Sequence, residues 1–366
     1  MSTKTLVENN GVALWVAHDP LPESGPLPHD IVVGPGGASR TLLTLTPRNK
    51  VGRVWDVGCG SGVQSVFAAV HADHVIATDI DPRCLDFTRE SAALNSLSIE
   101  TRLGSFAEPI ADETFDLIIS NPPFVMGNVT QLTHRESPRP ADQLTQELLA
   151  TLPKHLADGG LMVMVCAWLE KTDTNWEQAI AQWLPSDCNV WVGLRDVQLI
   201  ADYVDTWMAD AGLTDADTRQ RWIEQMQAWD ATAVAFGWVV VWRPTSPATD
   251  TWQRVEDVRN SPQLPTGEQV WQRLFAADLS ERLTATKMLT QRFRATTSQA
   301  WRGDLGVDGL LLDIRQELDL GSDLATACTN AAATNNFDPD DVLIHGLAGL
   351  KMMVDLGLLE AVDTPI

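Results

Sequence analysis

Residues 54–62 read VWDVGCGSG. The apolar start, broken only by Asp56, reads as a buried strand. Three alternating glycines follow, and Val63, Val66, Phe67 and Val70 then recur at helical spacing. A strand, a glycine turn and a helix in immediate succession predict the opening of a βαβ unit. The glycines let the backbone turn tightly and approach a bound molecule closely. The helix start beyond them offers unpaired N–H groups and the positive end of a dipole. A plain tight turn would use the same residues, so the second strand has to decide between the two meanings. VIATDI (75–80) reads as that strand, ending on Asp79. An acid at that place typically accepts hydrogen bonds from the ribose of an adenosine-type cofactor.

The same alternation continues outward. Pro82 suits the first turn of a helix with a stripe of Cys84, Phe87, Ser91 and Leu94 and a stop at Asn95. IETRLG (99–104), FDLIIS (115–120), GGLMVMVCAW (159–168), NVWVGL (189–194) and VAFGWVVVW (234–242) read as further strands, with a helix near 141–156. The pattern predicts an α/β fold with a doubly wound, mostly parallel, seven-stranded Rossmann-like sheet over residues 48–245. Residues 1–47 form an N-terminal extension. Within it GPGGAS (34–39) reads equally as a lid over a ligand or as an ordinary loop. Residues 246–269, polar and spaced by prolines, read as a linker. Residues 270–366 read as a small, mainly helical C-terminal domain. Its last helix should open at Asp338–Pro339, carry Leu343, Leu347, Leu350 and Val354 on one face, and end near Gly357.

Composition narrows the function classes. The chain has 366 residues, 44% hydrophobic and 20% charged, which is ordinary for a globular protein. No apolar run approaches the ~20 residues needed to span a bilayer, and MSTKTLVENN has no secretion-signal pattern. The expectation is a cytoplasmic protein with no membrane partner. Cys59, Cys84, Cys166, Cys188 and Cys328 are scattered without a C-x-x-C pair, so neither a disulfide framework nor a zinc site is expected. The net charge of −23 is not the basic footprint of an autonomous nucleic-acid binder, although a local basic groove remains compatible with it.

The fourth strand ends in LIISNPPF (117–124), a polar and rigid corner at the carboxyl end of the sheet, where the ligand crevice of such a fold lies. At these residues the chain resembles the class I S-adenosylmethionine-dependent methyltransferases. DVGCGSG matches their glycine motif, ATDIDP (77–82) their second-strand acid and LGSF (103–106) their adenine-flanking loop. The resemblance implies S-adenosyl-L-methionine as cofactor, held by the motif running from Asp56 through Gly58, Gly60 and Gly62. Gly58 and Gly60 would approach the methionine part, Asp79 the ribose, and Ser105 and Phe106 the adenine. Phe106 reads equally well as core packing after the third strand.

Asn121-Pro122-Pro123-Phe124 resembles the N-P-P-aromatic signature of the subgroup that methylates amino or amide nitrogen. Such nitrogens are poor nucleophiles because their lone pair is delocalised into a π-system. The Asn121 side-chain oxygen and the Pro122 carbonyl oxygen would each accept one N–H and aim the lone pair at the methyl group. The prolines fix φ and add no competing N–H, and Phe124 would offer a stacking face to a planar substrate. This chemistry calls for no strong general base and no metal.

The substrate stays open between an exocyclic amino group of an RNA or DNA base, as in ribosomal-RNA guanine methyltransferases, and a glutamine amide of a translation release factor. Phe124 in place of Tyr, and the following VMGNVTQLTHRES, favour the base; the acidic charge favours the protein. His134 and Arg135 read as a solvated loop rather than as substrate contacts, and most of the 14 tryptophans as core. Two other classes compete. One is a nicotinamide-dependent oxidoreductase, disfavoured by the G-x-G-x-G spacing. The other is a non-catalytic adenosylmethionine-binding scaffold.

Overall fold

The computed structural model describes residues 2–23, 27–127, 135–245, 251–283, 288, 293–295, 309–355 and 358–362. The chain divides into two compact units, Met1–Arg259 and Asn260–Ile366.

In the first unit, β1 (Thr3–Asn9) and β2 (Val12–His18) form a hairpin. The main sheet contains β3 (Val51–Val57), β4 (Ala72–Asp79), β5 (Glu100–Leu103), β6 (Phe115–Ser120), β7 (Leu156–Lys171), β8 (Asn189–Leu199), β9 (Ala231–Trp242) and β10 (Gln253–Asp257). Its order is β10-β8-β9-β7-β6-β3-β4-β5. β9 runs antiparallel to both neighbours and every other pair is parallel. The central strands are buried on both faces, which is why β7 carries the unbroken apolar run LMVMVCAWL. From β3 the chain winds outward through β4 and β5, then returns to the other side of β3 as β6. The switch point therefore lies between β3 and β6, and the carboxyl ends there are Val57 and Ser120.

Among the described residues the helices beside this sheet are α1 (Gly37–Leu45), α2 (Val63–Ala68), α3 (Pro82–Leu94), α4 (Gln143–Thr151), α5 (Trp176–Ala181), α6 (Ile200–Asp210) and α7 (Ala216–Ala228). α3 starts and stops as the sequence predicts. The Asp81 side chain accepts the Arg83 N–H, Pro82 occupies the first turn and Asn95 ends the helix. The helix expected to reach residue 156 instead tightens into a 3-10 turn at Leu152–His155. Pro153 lacks the N–H that an α-helix would need there. One core cluster packs Trp55, Phe115, Ile118, Met162, Met164 and Trp168; a second gathers Val125, Met126, Tyr203, Trp222 and Val234. The tryptophans Trp55, Trp168, Trp191, Trp222 and Trp238 are fully buried, as expected of core residues.

Two expectations need correction. The sheet has eight strands, not seven, because residues 253–257 of the supposed linker pair in parallel with β8, from Gln253↔Val190 to Asp257↔Leu194. QRVED has one apolar residue and occupies a sheet edge, where polar side chains are tolerated, so its sequence carries little strand signal. The N-terminal extension packs on the first βα unit, with Val7, Val16 and Leu43 against Val63, Val66 and Phe67. GPGGAS is not a free loop, because residues 37–39 are the first turn of α1.

Just ahead of β6, Glu113 accepts from Arg53 of β3 and Arg102 of β5. These hydrogen bonds, Arg102 first, pull its carboxyl down to about 2. A carboxylate with a depressed folded pKa stabilises the fold above its ordinary value and loses that contribution as pH falls toward the folded value. Glu113→Gln should therefore cost about 1–2 kcal/mol at pH 7, discounted for partial exposure. In urea titrations from pH 7 to pH 2 the gap between wild type and variant should close below about pH 4. A gap independent of pH would show that the ion pairs contribute nothing.

The second unit is mainly helical. α8 (Gly267–Arg282) opens with a capping box in which Thr266 and Gln269 exchange side-chain bonds to each other's backbone N–H. Helices follow at Gly309–Asp319, Leu324–Asn335 and Pro339–Asp355, with a two-strand ladder of Phe293–Ala295 and Leu359–Ala361. The last helix starts at Pro339 with the Asp338 carboxylate accepting the Asp340 N–H. Leu350 and Val354 are buried in the core, with Leu343 and Leu347 packed against it. Gly357, its expected end, lies outside the described residues. Among the described residues no helix is long and apolar enough to cross a membrane.

Candidate active site

A cavity of about 480 Å³ opens at the carboxyl ends of β3, β4, β5 and β6. Of the residues singled out in the sequence, it brings together Gly58, Gly60, Asp79, Ser105, Phe106 and Asn121. Thr78 holds the glycine loop, its carbonyl accepting the N–H groups of Gly58 (2.9 Å) and Cys59 (3.0 Å). Gly58 and Gly60 both have positive φ, at 72° and 54°, and a Cβ on either would meet nothing within 4 Å. Both line the cavity, so the space their missing side chains leave is cavity space.

Asp79 anchors the next wall. Its carboxylate accepts the Gly60 N–H at 3.0 Å and the Asp81 N–H at 3.0 Å. A carboxylate has about four acceptor positions, so capacity remains for a diol. Burial raises the Asp79 pKa, against the pull of these two backbone bonds. Burial and the charges of neighbouring aspartates also push the thiols of Cys84, on the cavity wall, and Cys59, beneath the loop, well up. Neither is a thiolate nucleophile at neutral pH.

At the end of β6, Asn121 lines the cavity. Its Nδ2 donates to Ser39 Oγ at 3.2 Å, whereas its Oδ1 is buried without a hydrogen-bond partner. An unpaired buried acceptor is costly. The backbone after the corner is held rigidly. Met126 N–H donates to the Tyr203 hydroxyl (2.7 Å) and the Trp222 indole donates to Met126 O (2.8 Å). A Cβ on Gly127 would lie 2.0 Å from that indole nitrogen. α6 and α7 thus fix the corner from outside the sheet.

Four sequence expectations change here. Asp56 is 1% exposed, lines no part of the cavity, and accepts from Ser65 Oγ beneath the loop. Burial raises its carboxyl to about 7. Gly62, φ 80°, starts α2 and faces α3, where a Cβ would lie 2.8 Å from Thr88 Cα. Both residues shape the loop from behind. Phe124 lies outside the cavity lining, edge-on to Phe236 at 6.2 Å between centroids. Arg135 is no solvated loop residue: it is buried, lies over the Trp207 ring, donates to Trp207 O at 3.0 Å and pairs with Asp210. His134 falls outside the described residues. Pro122 is buried, with Pro123 on the cavity wall.

The sequence reading missed Ser39, Ile31 and the stretch Glu136–Arg139, all at the site. The last returns to the corner through Val125, whose N–H donates to Arg135 O (2.8 Å) and whose carbonyl accepts the Ser137 N–H (2.7 Å). The charged groups on the wall are Asp79, Asp81 and Glu136 against Arg139, which is itself paired with Glu147. Such a wall favours a ligand with positive charge and disfavours a pyrophosphate.

Residues 35–183 match the methyltransferase small domain. The matched segment begins ahead of α1 and so takes in the helix that carries Ser39 as well as β3 to β7. Relatives include the ribosomal RNA small subunit methyltransferase C of an Escherichia coli strain, 36% identical over 143 residues covering 37% of this chain and 37% of that protein. The Salmonella newport protein of the same name is 37% identical over 134 residues, 35% of each chain. The chain thus aligns with a little over a third of the length of these relatives. Among solved structures, the T. thermophilus 16S rRNA N2 methyltransferase in complex with AdoMet and guanosine matches with a TM-score of 0.35 at 14% identity, over 66% of this chain and 50% of that one. The loop, the acid and the corner all fall inside the matched segment, residues 35–183.

Proposed function

We propose that this chain is an S-adenosylmethionine-dependent methyltransferase that acts on the exocyclic amino nitrogen of a nucleic-acid base, with RNA as the substrate. The observation that carries the reading is the place of Asn121, at the carboxyl end of β6 on the wall of the same cavity as Gly58, Gly60 and Asp79, with its amide tied through Nδ2 to Ser39. The relatives' names, which specify ribosomal RNA, direct the choice of substrate.

The residues fit the cofactor. The space above Gly58 and Gly60 takes its methionine part, the spare acceptor positions of Asp79 take the ribose hydroxyls, and Ser105 and Phe106 border the adenine. When bound, the cofactor supplies a methyl group on a positively charged sulfur, which suits a wall richer in carboxylates than in guanidinium. The same wall opposes the nicotinamide reading, since a dinucleotide brings two phosphate charges. Asn121 Oδ1 and the Pro122 carbonyl oxygen accept the two N–H groups of the target amine, drawing its lone pair out of the ring and aiming it. The proton leaves after transfer, so no strong base is needed. The reading implies a cytoplasmic protein.

The test is incubation with methyl-labelled cofactor and, separately, small ribosomal subunits, deproteinised ribosomal RNA, DNA and a translation release factor. Label should enter RNA and, after nuclease digestion, co-migrate with a nucleoside methylated on its exocyclic nitrogen. Label on glutamine of the release factor would replace the base by an amide. Cofactor uptake with no labelled product would leave only the scaffold.

A further inference from the structure

We propose that Ser39 is a positioning residue for Asn121, acting through the side-chain amide rather than on the substrate; this rests on the methyltransferase reading above. Ser39 lies in the first turn of α1, 82 positions from the corner in sequence, and its hydroxyl accepts the Asn121 Nδ2–H at 3.2 Å. The torsion that turns an asparagine amide is broad and has no steep wells of its own. An unrestrained amide would swing, or turn its NH2 toward an incoming amine that itself presents N–H groups. Securing the Nδ2 end fixes the orientation of an amide whose residue lines the cavity and whose Oδ1 is buried without a hydrogen-bond partner.

Ser39 is itself braced. The Gln64 side-chain Nε2 donates to its carbonyl oxygen at 2.9 Å, and Gln64 is 3% exposed on α2, the helix that follows the glycine loop. A chain of two hydrogen bonds therefore runs from α2 through the first turn of α1 to the acceptor at the end of β6. It links the floor of the cavity to the group that aims the nucleophile. The sequence stretch GPGGAS acquires a role in this way: its serine ties the first turn of α1 to the corner.

A misplacement of about 1 Å can lower turnover by about 100-fold. Ser39→Ala should accordingly lower kcat by about 10- to 100-fold, while KM for RNA and the cofactor Kd stay within about threefold of wild type. Ser39→Thr keeps the hydroxyl and should recover kcat to within about threefold. In an Asn121→Ala background, Ser39→Ala should have no further effect, because the group it orients is gone. Wild-type kcat for Ser39→Ala beside an inactive Asn121→Ala would overturn the positioning role and leave the methyltransferase reading intact. A loss confined to cofactor Kd or to stability, or a Thr variant no better than Ala, would overturn it equally. A wild-type protein that binds no adenosylmethionine and labels nothing would overturn the reading itself, and this inference with it.

Discussion

Asn121→Ala is expected to abolish methyl transfer while keeping both the cofactor and the fold. The expected loss of turnover is about 100- to 1000-fold, the range seen when one preorganised hydrogen-bonding group aimed at a reacting centre is removed. Cofactor affinity should change by less than about threefold, because Gly58, Gly60 and Asp79 supply that part of the site. Stability adds a second readout. In the free protein Oδ1 is buried and unpaired, a state that costs about 1–3 kcal/mol. Removing it relieves that cost, while losing the Nδ2 bond to Ser39 gives back about 0.5–1.5 kcal/mol. The variant should therefore unfold at the same urea concentration as wild type or slightly higher. Lower activity with equal or greater stability is the mark of a group kept for function. A variant that is both active and destabilised would mean that Asn121 is only a turn residue, and the proposed aiming of the amine would be wrong.

Much of this arrangement was legible in the sequence because it depends on local patterns. The strand–glycine–helix run at 54–68, the acid closing β4 and the corner closing β6 each announce themselves within a few residues. Their shared position at the carboxyl ends of parallel strands follows from the winding alone. The features that escaped depend on tertiary packing. β10 is polar and lies at an edge, so its pairing with β8 leaves no periodic trace. Ser39 reaches Asn121 only because α1 packs beside α2. Glu136 and Ser137 reach the cavity through a backbone bridge to Val125, which no motif encodes. Arg135 shows the opposite failure. A charged residue near a loop reads as solvated, yet Trp207 covers it and Asp210 pairs with it. Asp56 belongs to the motif, yet its side chain is buried outside the cavity lining and accepts from Ser65 Oγ. Membership of a motif and contact with a ligand are separate properties.

Gly60 and Gly62 put that separation to a quantitative test, since one motif and one positive-φ habit give them opposite environments. An alanine at either position accepts a left-handed backbone at about 1–2 kcal/mol. At Gly60, φ 54°, the new methyl meets no protein atom within 4 Å, so that strain is the whole stability cost. The methyl projects instead into the cavity, where the methionine part of the cofactor is proposed to lie, and adenosylmethionine affinity should fall by about 100-fold or more, the equivalent of about 2.7 kcal/mol. At Gly62, φ 80°, the methyl would lie 2.8 Å from Thr88 Cα and 2.8 Å from Thr88 Oγ1. The first of these is backbone of α3, and it cannot swing aside. Thr88 is also fully buried and donates toward Cys59 Sγ and Gly60 O, so moving it disturbs the underside of the loop. Overpacking of about 1–3 kcal/mol adds to the backbone strain, giving a total of about 2–5 kcal/mol. Urea unfolding with calorimetric titration of the cofactor on the folded variants should separate the two: Gly60→Ala destabilised by only about 1–2 kcal/mol but binding at least about 100-fold more weakly, Gly62→Ala destabilised by about 2–5 kcal/mol. Equal affinity in Gly60→Ala and wild type would remove the cofactor from the glycine floor, and with it the geometry that brings a methyl group to Asn121.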